Sequence, residues 1–436
     1  MREAFAEKVL RAFDGTVQKG PKAEVASRIF WRLLKNRLSR VKRLLFIHNE
    51  YAKPSGEEHA AKAIADLLKA RGHAVFWFKR SSAEISGSVS GSIKAFLTGV
   101  YNPFAARALA RTLDEVRPDI VQVQNLYPLI SPSIFKRIKE RGIPVVMRCP
   151  NYRLFCPNVL HLTKGRVCEK CLGFGKEIWC VLYNCTDNIF KSTGYALRNA
   201  SARITRRILD NVDVFIVQTE FQEQKFAERG IPADRIGIVP GFIPAVQIPK
   251  EDCLGHLTTF IGRVSPEKGV DDFLDAARLT PDVPFVVAGR HDGMPGIRDS
   301  SPRNVEWFGF LNADELSDLY LKSRIIVVPS RWHEGFPNVI TEAMALGRPV
   351  IAAEIGALPS IVDDGVTGLL FEPGNGDDLA QKIRHLWNKP QLCREIGQAG
   401  REKALREYSP DKCYRRLMAV YEKAAELRQG SLNHKS

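Results

Sequence analysis

The sequence predicts an α/β protein with two doubly wound domains, each a parallel β-sheet covered by helices on both faces. Its 436 residues exceed the size at which one hydrophobic core usually suffices, so two domains are expected. Short apolar runs rich in β-branched residues alternate with helical segments, which is the pattern of parallel sheets. A stretch rich in Pro and Gly, residues 240–249, separates two such series and predicts a linker.

The first series predicts a domain over residues 41–245. It begins with a buried strand at 44–47, a loop with Pro54 and Gly56, and a helix at about 57–70. Its further strands are predicted at 74–78, 120–123, 145–147 and 214–217.

The second series predicts a domain over residues 246–410, followed by a C-terminal helix and tail over 411–436. Its strands are predicted at 257–261, 285–288, 325–328 and 349–352. Its helices are predicted near 268–279, 313–322, 338–346 and 377–387. Because such sheets bind ligands outside the carboxyl ends of their strands, we expect a binding cleft between the domains.

Charge is concentrated at the N-terminus of a chain whose net charge is +15. Residues 1–43 hold 12 Lys or Arg against 4 Asp or Glu, and the apolar residues of 22–43, including Phe30 and Trp31, recur at helical spacing. A basic amphipathic extension over 1–40 is typical of a segment that binds anionic lipid. The alternative is a helix packed on the first domain with a solvated basic face. Nucleic acid is not an expected partner, because no recognisable binding module is present.

Hydropathy bears on location. No run of about 18 apolar residues occurs, which predicts that nothing spans a bilayer. Residues 1–20 lack the apolar core of a signal peptide, which predicts a cytoplasmic protein, peripheral on the inner membrane face if the extension binds lipid.

The most informative stretch is residues 327–342, where a β-branched run enters a loop with Glu334 and Gly335 and then a helix. A strand that feeds a helix N-terminus through a small-residue loop binds phosphate with free backbone N–H groups and the helix dipole. Glu334 and Glu342 flank that site and could accept sugar or ribose hydroxyls. The stretch therefore indicates a nucleotide-linked sugar.

Two cations follow the strand at 257–261. Arg263 and Lys268 could hold the charge that grows on a departing diphosphate. With both present a catalytic metal is unnecessary, and neither candidate loop carries an Asp-x-Asp pair. The alternative for Arg263 and Lys268 is a pair of solvated loop cations, and the alternative for the two glutamates is an ordinary helix start.

These residues resemble glycosyltransferase family 4, which comprises retaining enzymes of the GT-B fold. The resemblance covers residues 43 to about 426, and an ordered set of four motifs carries it: Glu334 with Glu342, Gly262-Arg263 with Lys268-Gly269, the turn Gly365-Val366-Thr367-Gly368, and the loop Ser55-Gly56-Glu57. It implies two Rossmann-like domains, the first on the acceptor side and the second binding a nucleoside diphosphate sugar.

The resemblance also implies roles. Glu342 would accept the ribose hydroxyls, Glu334 would lie against the donor sugar, and Arg263 and Lys268 would act on the leaving group. The implied catalytic residues are thus Glu334, Arg263 and Lys268, and the implied donor-binding residues are Gly56, Gly262, Gly335, Phe336, Pro337, Asn338 and Glu342. The departing phosphate would help to remove the acceptor proton.

Three positions depart from the family pattern. Pro150 stands where relatives often have a His that contacts the donor sugar, and Gln124 stands where His-Asn is common. Asn151 and Arg153 are the nearest polar substitutes, and Ser360 replaces a frequent Glu. These departures leave the donor sugar open.

Six of nine cysteines lie in a predicted insertion over 149–185: Cys149, Cys156, Cys168, Cys171, Cys180 and Cys185. Reduced thiols at this spacing favour a structural zinc, held by Cys168 and Cys171 with two of Cys156, Cys180 and Cys185. Free or redox-labile thiols and disulfides are the alternatives. His333, beside Glu334, could line the donor pocket or face solvent.

The sequence therefore predicts a retaining glycosyltransferase. It would move a hexose or related sugar from a nucleoside diphosphate to a lipid-linked or polysaccharide acceptor at the cytoplasmic membrane face. One alternative is a soluble transferase acting on a small sugar or sugar phosphate. Another is a non-catalytic, basic, metal-containing nucleic-acid binder, which the set of Arg263, Lys268, Glu334 and Glu342 disfavours.

Overall fold

The computed structural model describes residues 42–51, 56–85, 89–173, 175–243 and 254–433. The predicted extension over 1–40 lies outside the described residues, as do most of the predicted lipid-binding segment 22–43 and of the linker 240–249. Within the described part, no helix is long and apolar enough to cross a membrane.

The first domain contains a six-stranded parallel sheet in the order β2-β1-β3-β4-β7-β8. Its strands are β1 (Arg43–Glu50), β2 (Ala74–Ser81), β3 (Ile120–Asn125), β4 (Val145–Arg148), β7 (Val214–Val217) and β8 (Ile236–Ile238). The central strands are buried on both faces, as continuous apolar runs in parallel sheets require. A short antiparallel hairpin, β5 (Leu162–Thr163) and β6 (Arg166–Val167), stands apart from this sheet.

Seven helices of this region cover the sheet or extend from it: α1 (Gly56–Ala70), α2 (Val89–Val100), α3 (Pro103–Val116), α4 (Ile134–Lys139), α5 (Ile178–Leu182), α6 (Ile189–Ile204) and α7 (Glu220–Ala227). The Asn102 side chain accepts a bond from the Ala105 N–H, and Pro103 occupies the first turn, so the start of α3 is locally encoded. Asn188 caps α6 in the same way, through the Lys191 N–H.

The second domain repeats the architecture with the strand order β11-β10-β9-β12-β13-β14, again all parallel. Its strands are β9 (Leu257–Ile261), β10 (Phe285–Ala288), β11 (Val305–Gly309), β12 (Ser323–Val328), β13 (Val350–Ala353) and β14 (Gly368–Phe371). Its helices are α8 (Val270–Leu279), α9 (Ala313–Lys322), α10 (Asn338–Ala345), α11 (Leu358–Ile361), α12 (Gly376–Trp387) and α13 (Pro390–Glu407). The predicted fold class, two parallel-sheet Rossmann-like domains, is confirmed.

The C-terminal helix α14 (Pro410–Asn433) returns to the first domain. Its Leu417 and Tyr421 are fully buried against apolar residues of the first sheet. Near its end, Arg428 Nη2 lies 2.9 Å from Asp213 Oδ2, and both side chains are largely buried. This helix therefore ties the end of the chain to the first domain, a placement that the sequence prediction did not contain.

Candidate functional site

The Lys268–Glu334 pair lies where the carboxyl ends of β9 and β12 meet. Lys268 Nζ is 2.6 Å from Glu334 Oε1, and the Ser330 hydroxyl donates to the same oxygen at 2.7 Å. Glu334 is 5% exposed, so both contacts are shielded from water. The structure thus brings together two of the three predicted catalytic residues, with Ser330 as a partner that the sequence did not single out.

Gly269 explains how Lys268 comes so close to the loop after β12. Its φ is 69°, and a Cβ built on it would lie 1.7 Å from the Pro329 carbonyl oxygen. Only glycine combines this left-handed conformation with such a close backbone approach. The turn over Pro266–Lys268 therefore packs directly against the start of the Glu334 loop.

Arg263 is separated from this pair. Its guanidinium forms an ion pair with Glu267, and its side chain is 64% exposed. Gly262, before it, has a φ of 154° and lies so close to Gly289 that a Cβ on Gly289 would be 1.7 Å from the Gly262 carbonyl oxygen. The two predicted cations thus occupy one loop, with Lys268 held at Glu334 and Arg263 directed towards Glu267.

The helix N-terminus predicted to bind phosphate is the start of α10. Pro337 stands at its N-cap position and no side chain caps it, which leaves backbone N–H groups available to an anion. The Phe336 ring packs edge-on against Tyr408, with centroids 5.2 Å apart, and is buried. The side chain of Asn338 lies against Gly241. The side chains of Phe336 and Asn338 are thus engaged in packing, so the predicted donor contact of these two residues falls to their backbone N–H groups.

Glu342 lies inside α10 and has one partner that sequence analysis missed. The Tyr320 hydroxyl donates to Glu342 Oε2 at 2.7 Å. Burial raises the pKa of Glu342 above that of an ordinary glutamate. No local signal points to Tyr320, because it is 22 residues away on a different helix.

At Gly335 the second domain comes very close to the first. A Cβ built on it would lie 2.3 Å from the Pro150 carbonyl oxygen and 3.0 Å from Gln222 Nε2. Pro150 follows β4 at the position where the family pattern has a His. The loop that carries Gly335 therefore lies directly against Pro150, one of the positions that depart from the family pattern.

Beside this contact, the first domain carries a polar network. Arg153 Nη1 donates to Asn125 Oδ1 at 2.6 Å, and Asn151 Nδ2 donates to Glu57 Oε1 at 2.5 Å. The Tyr51 hydroxyl donates to Glu57 Oε2 at 2.9 Å. Apart from Tyr51, these residues line a cavity together with Gln124, Tyr127, Arg148, Pro150 and Asn199. Asn151 and Arg153, the substitutes proposed from sequence, thus belong to one cavity.

Gly56 begins α1, next to Glu57 of this network. A Cβ built on Gly56 would meet none of the described residues within 4 Å.

The described cysteines are free thiols. Cys171 and Cys180 pack together with Cys185 at their edge. A hydrogen bond between the Cys180 and Cys185 thiols raises the pKa of Cys180 and lowers that of Cys185 to about 6. Zinc at the five predicted thiols stays a prediction.

A different set brings metal-type ligand atoms together within the described chain. His161, Glu169 and His333 offer atoms that lie within 4.8 Å of one another. Burial lowers the pKa of His161 to about 3, so its imidazole is neutral. Glu169 is already compensated by Lys225 at 2.9 Å and Arg229 at 3.4 Å, which disfavours a cation there. We interpret this cluster as a polar contact between the domains.

Comparisons with known proteins agree with this geometry. The family model of the glycosyl transferase 4-like domain matches residues 55–241, and that of glycosyl transferases group 1 matches residues 255–403. A glycosyltransferase of Methanocaldococcus jannaschii is 36% identical over 171 residues, covering 38% of this chain and 48% of the relative. A D-inositol 3-phosphate glycosyltransferase of a Mycobacterium species is 34% identical over 209 residues, covering 42% and 47%. The chain therefore spans about half the length of these curated relatives.

Solved structures show the same fold. A glycosyltransferase from Rickettsia africae aligns with a TM-score of 0.64 at 17% identity, covering 88% of this chain and 99% of that one. Anabaena HepE in complex with UDP aligns with a TM-score of 0.63 at 18% identity, covering 87% and 99%. With two matching family models in the order of its two Rossmann-like domains, the chain belongs to the family 4-like glycosyltransferases of the GT-B fold.

Proposed function

We propose that this protein is a retaining glycosyltransferase that moves a hexose or related sugar from a nucleoside diphosphate to a lipid-linked or polysaccharide acceptor at the cytoplasmic membrane face. The observation that carries the proposal is the Lys268–Glu334–Ser330 cluster beside the uncapped start of α10. A fixed cation and free backbone N–H groups converge there on the place where a diphosphate would lie.

In the proposed reaction, the bond between the anomeric carbon and the diphosphate oxygen breaks, and the electron pair goes to that oxygen. Lys268 stabilises the developing charge, and Arg263 supplies a second cation from the same loop. The acceptor hydroxyl forms the new bond on the same face of the sugar, and its proton passes to the departing phosphate. Glu334 would lie against the donor sugar. The residues supply electrostatic stabilisation without a catalytic metal.

The acceptor is proposed to bind in the first-domain cavity. Half-buried Arg153 and Asn151 with Glu57 present both donors and acceptors there, as a hydroxyl-rich or phosphate-bearing molecule needs. A second candidate, a soluble transferase acting on a small sugar phosphate, is favoured by the similarity to the relative named D-inositol 3-phosphate glycosyltransferase.

The deciding experiment is calorimetry of the full chain against a panel of nucleoside diphosphate sugars, followed by transfer assays with the donor that binds. We expect one base to be preferred and Glu334→Ala to abolish transfer. If no member of the panel binds and Glu334→Ala and Lys268→Ala leave every measured property unchanged, the enzyme proposal is wrong.

We expect nucleotide affinity to depend on pH through Glu342, whose carboxylate accepts a hydrogen bond from Tyr320. Burial raises the pKa of Glu342, and only the ionised carboxylate accepts two ribose hydroxyls, so affinity should fall as pH falls through that raised pKa. Tyr320→Phe removes a donor to the ionised form, so the midpoint should move to higher pH. Calorimetric titrations with the nucleoside diphosphate from acidic to neutral pH measure the pH at which its affinity is half lost.

Tyr414→Phe is the matched control, because that hydroxyl contacts His73 on the far side of the first domain. A midpoint that is the same in the parent and in Tyr320→Phe would contradict the assignment of Glu342 to the ribose.

A further inference from the structure

Helix α6 exposes a row of large apolar side chains. Phe190, Leu197 and Ile204 are 86%, 51% and 62% exposed. They are spaced by seven residues, about two helical turns, so they lie on one side of the helix.

The opposite side of α6 is polar and buried. Ser192, Arg198 and Asn199 are each less than one-tenth exposed. The Arg198 guanidinium lies 4.4 Å from the centre of the Tyr127 ring, and Asn199 donates to the Arg153 carbonyl at 2.9 Å. A helix on the surface of a water-soluble domain has the reverse arrangement, with its apolar side inward. Helix α6 therefore directs its apolar side to an environment other than water.

Neighbouring helices extend this exposed side. A Cβ built on Gly194 would lie 3.4 Å from the Phe96 ring, so α2 packs directly along α6. Leu97 on α2 and Phe104 at the start of α3 are 60% and 73% exposed, and Leu182 on α5 is 64% exposed. We call the surface formed by Phe96, Leu97, Phe104, Phe190, Leu197 and Ile204 the apolar face. A contiguous exposed surface of this kind marks a binding partner.

Positive charge borders the apolar face. Exposed Lys191 lies on α6, which carries no acidic residue, and Arg206 and Arg207 follow its end. The Arg207 guanidinium lies 5.3 Å from the centre of the Tyr101 ring, which joins the basic end of α6 to the turn between α2 and α3. Exposed Arg107 and Arg111 stand on α3, three and seven residues after Phe104. Apolar side chains rimmed by Lys and Arg match the acyl boundary and headgroups of an anionic membrane.

We propose that the apolar face docks the protein onto an anionic bilayer, with α6 lying in the interface. The buried side of the same helix supplies Asn199 and Ala202 to the first-domain cavity. Docking through α6 would therefore hold that cavity next to the bilayer, where the lipid part of an acceptor could stay in the membrane while its headgroup enters. This inference deepens the proposed function, since it rests on a lipid-linked acceptor binding in that cavity.

Flotation of the full chain with vesicles of equal parts phosphatidylcholine and phosphatidylglycerol tests the docking. The triple variant Phe190→Ser, Leu197→Ser, Ile204→Ser should lower the partition coefficient by about tenfold or more, because each inserted side chain contributes hydrophobic burial. The control is Leu279→Ser, Phe308→Ser, Leu405→Ser, which removes one Phe and two Leu exposed on the second domain and should bind as the parent does. Vesicles of phosphatidylcholine alone should bind the parent more weakly.

Three outcomes would overturn the proposal. If the triple variant floats with vesicles like the parent but the full-length variant Phe30→Ser, Trp31→Ser does not, the membrane contact lies in the N-terminal extension. If the parent does not bind vesicles but forms a dimer, and the triple variant is monomeric, the apolar face is a protein interface. Equal binding to neutral and anionic vesicles would contradict the choice of anionic lipid.

Nucleotide calorimetry separates this proposal from the proposed function. The triple variant should bind the nucleoside diphosphate sugar with the parent's affinity and unfold at the parent's temperature, which shows that both domains are folded. If no donor binds to the parent but vesicle binding depends on the apolar face, the proposed function fails and the docking stands. If donor binding and transfer are intact but vesicle binding ignores the apolar face, only the docking fails.

Discussion

Replacing Lys268 with alanine is expected to lower kcat for sugar transfer by about 10²–10³-fold, the effect of removing one preorganised group that stabilises charge in a transition state. Lys268 is the cation held at the centre of the site, 2.6 Å from Glu334, and three-quarters of its side chain is shielded from solvent. Its charge therefore acts in a medium less polar than water, where it stabilises a departing diphosphate more strongly. Steady-state kinetics with the preferred donor measure the loss.

Lys322→Ala is the control for this variant, because Lys322 is an exposed lysine at the end of α9 and should leave kcat unchanged. Lys268→Ala should also weaken nucleoside diphosphate binding, since a charge-assisted hydrogen bond is lost. A Lys268→Ala enzyme with the parent's kcat would contradict the role of this lysine at the leaving group.

Replacing Gly335 with alanine is expected to lower kcat by about 10²-fold, the effect of a displacement near 1 Å at a reacting centre. The added methyl group would lie 2.3 Å from the Pro150 carbonyl, which is backbone and cannot rotate away. The two domains would have to separate where Gly335, next to Glu334, meets the first domain. Nucleotide affinity should change less than kcat, because Lys268 and Glu342, the side chains proposed to bind the nucleotide, both lie within the second domain.

The comparison of kcat with nucleotide affinity is the measurement, because a folding defect would lower both. Gly430→Ala is the matched control, since a Cβ there meets nothing within 4 Å and alanine suits the interior of α14. Unchanged turnover in Gly335→Ala would show that this contact between the domains does not occur during catalysis.

Most of the sheet architecture could be predicted from the sequence, because strands buried in a parallel sheet are continuous apolar runs rich in β-branched residues, which are easily recognised. The edge strands β11 and β14 were missed. In β11 half-buried and exposed residues alternate, as on the open edge of a sheet, so its apolar signal is weak. Helix α6 was missed because its pattern is inverted: its polar side is buried around Arg198 and its apolar side is exposed.

The candidate site was only partly predictable, because several of its contacts join residues that are far apart in the sequence. Glu334 and Glu342 share one loop and helix, so their spacing alone places them together. The contact of Lys268 with Glu334 joins residues 66 apart, and that of Asn151 with Glu57 joins residues 94 apart. Phe336 was expected at the donor, whereas its ring packs against Tyr408.

The sequence by itself determined that this protein has two doubly wound domains and a loop-to-helix stretch suited to a nucleotide-linked sugar. Those features depend on local hydrophobic periodicity and on neighbouring residues, which a chain carries before it folds. Tertiary structure alone decided that Lys268 neutralises Glu334 while Arg263 pairs with Glu267, that Tyr320 supports Glu342, and that α6 exposes its apolar side. Each depends on which distant segments the packing of two sheets brings within a few ångströms, and no local pattern encodes that.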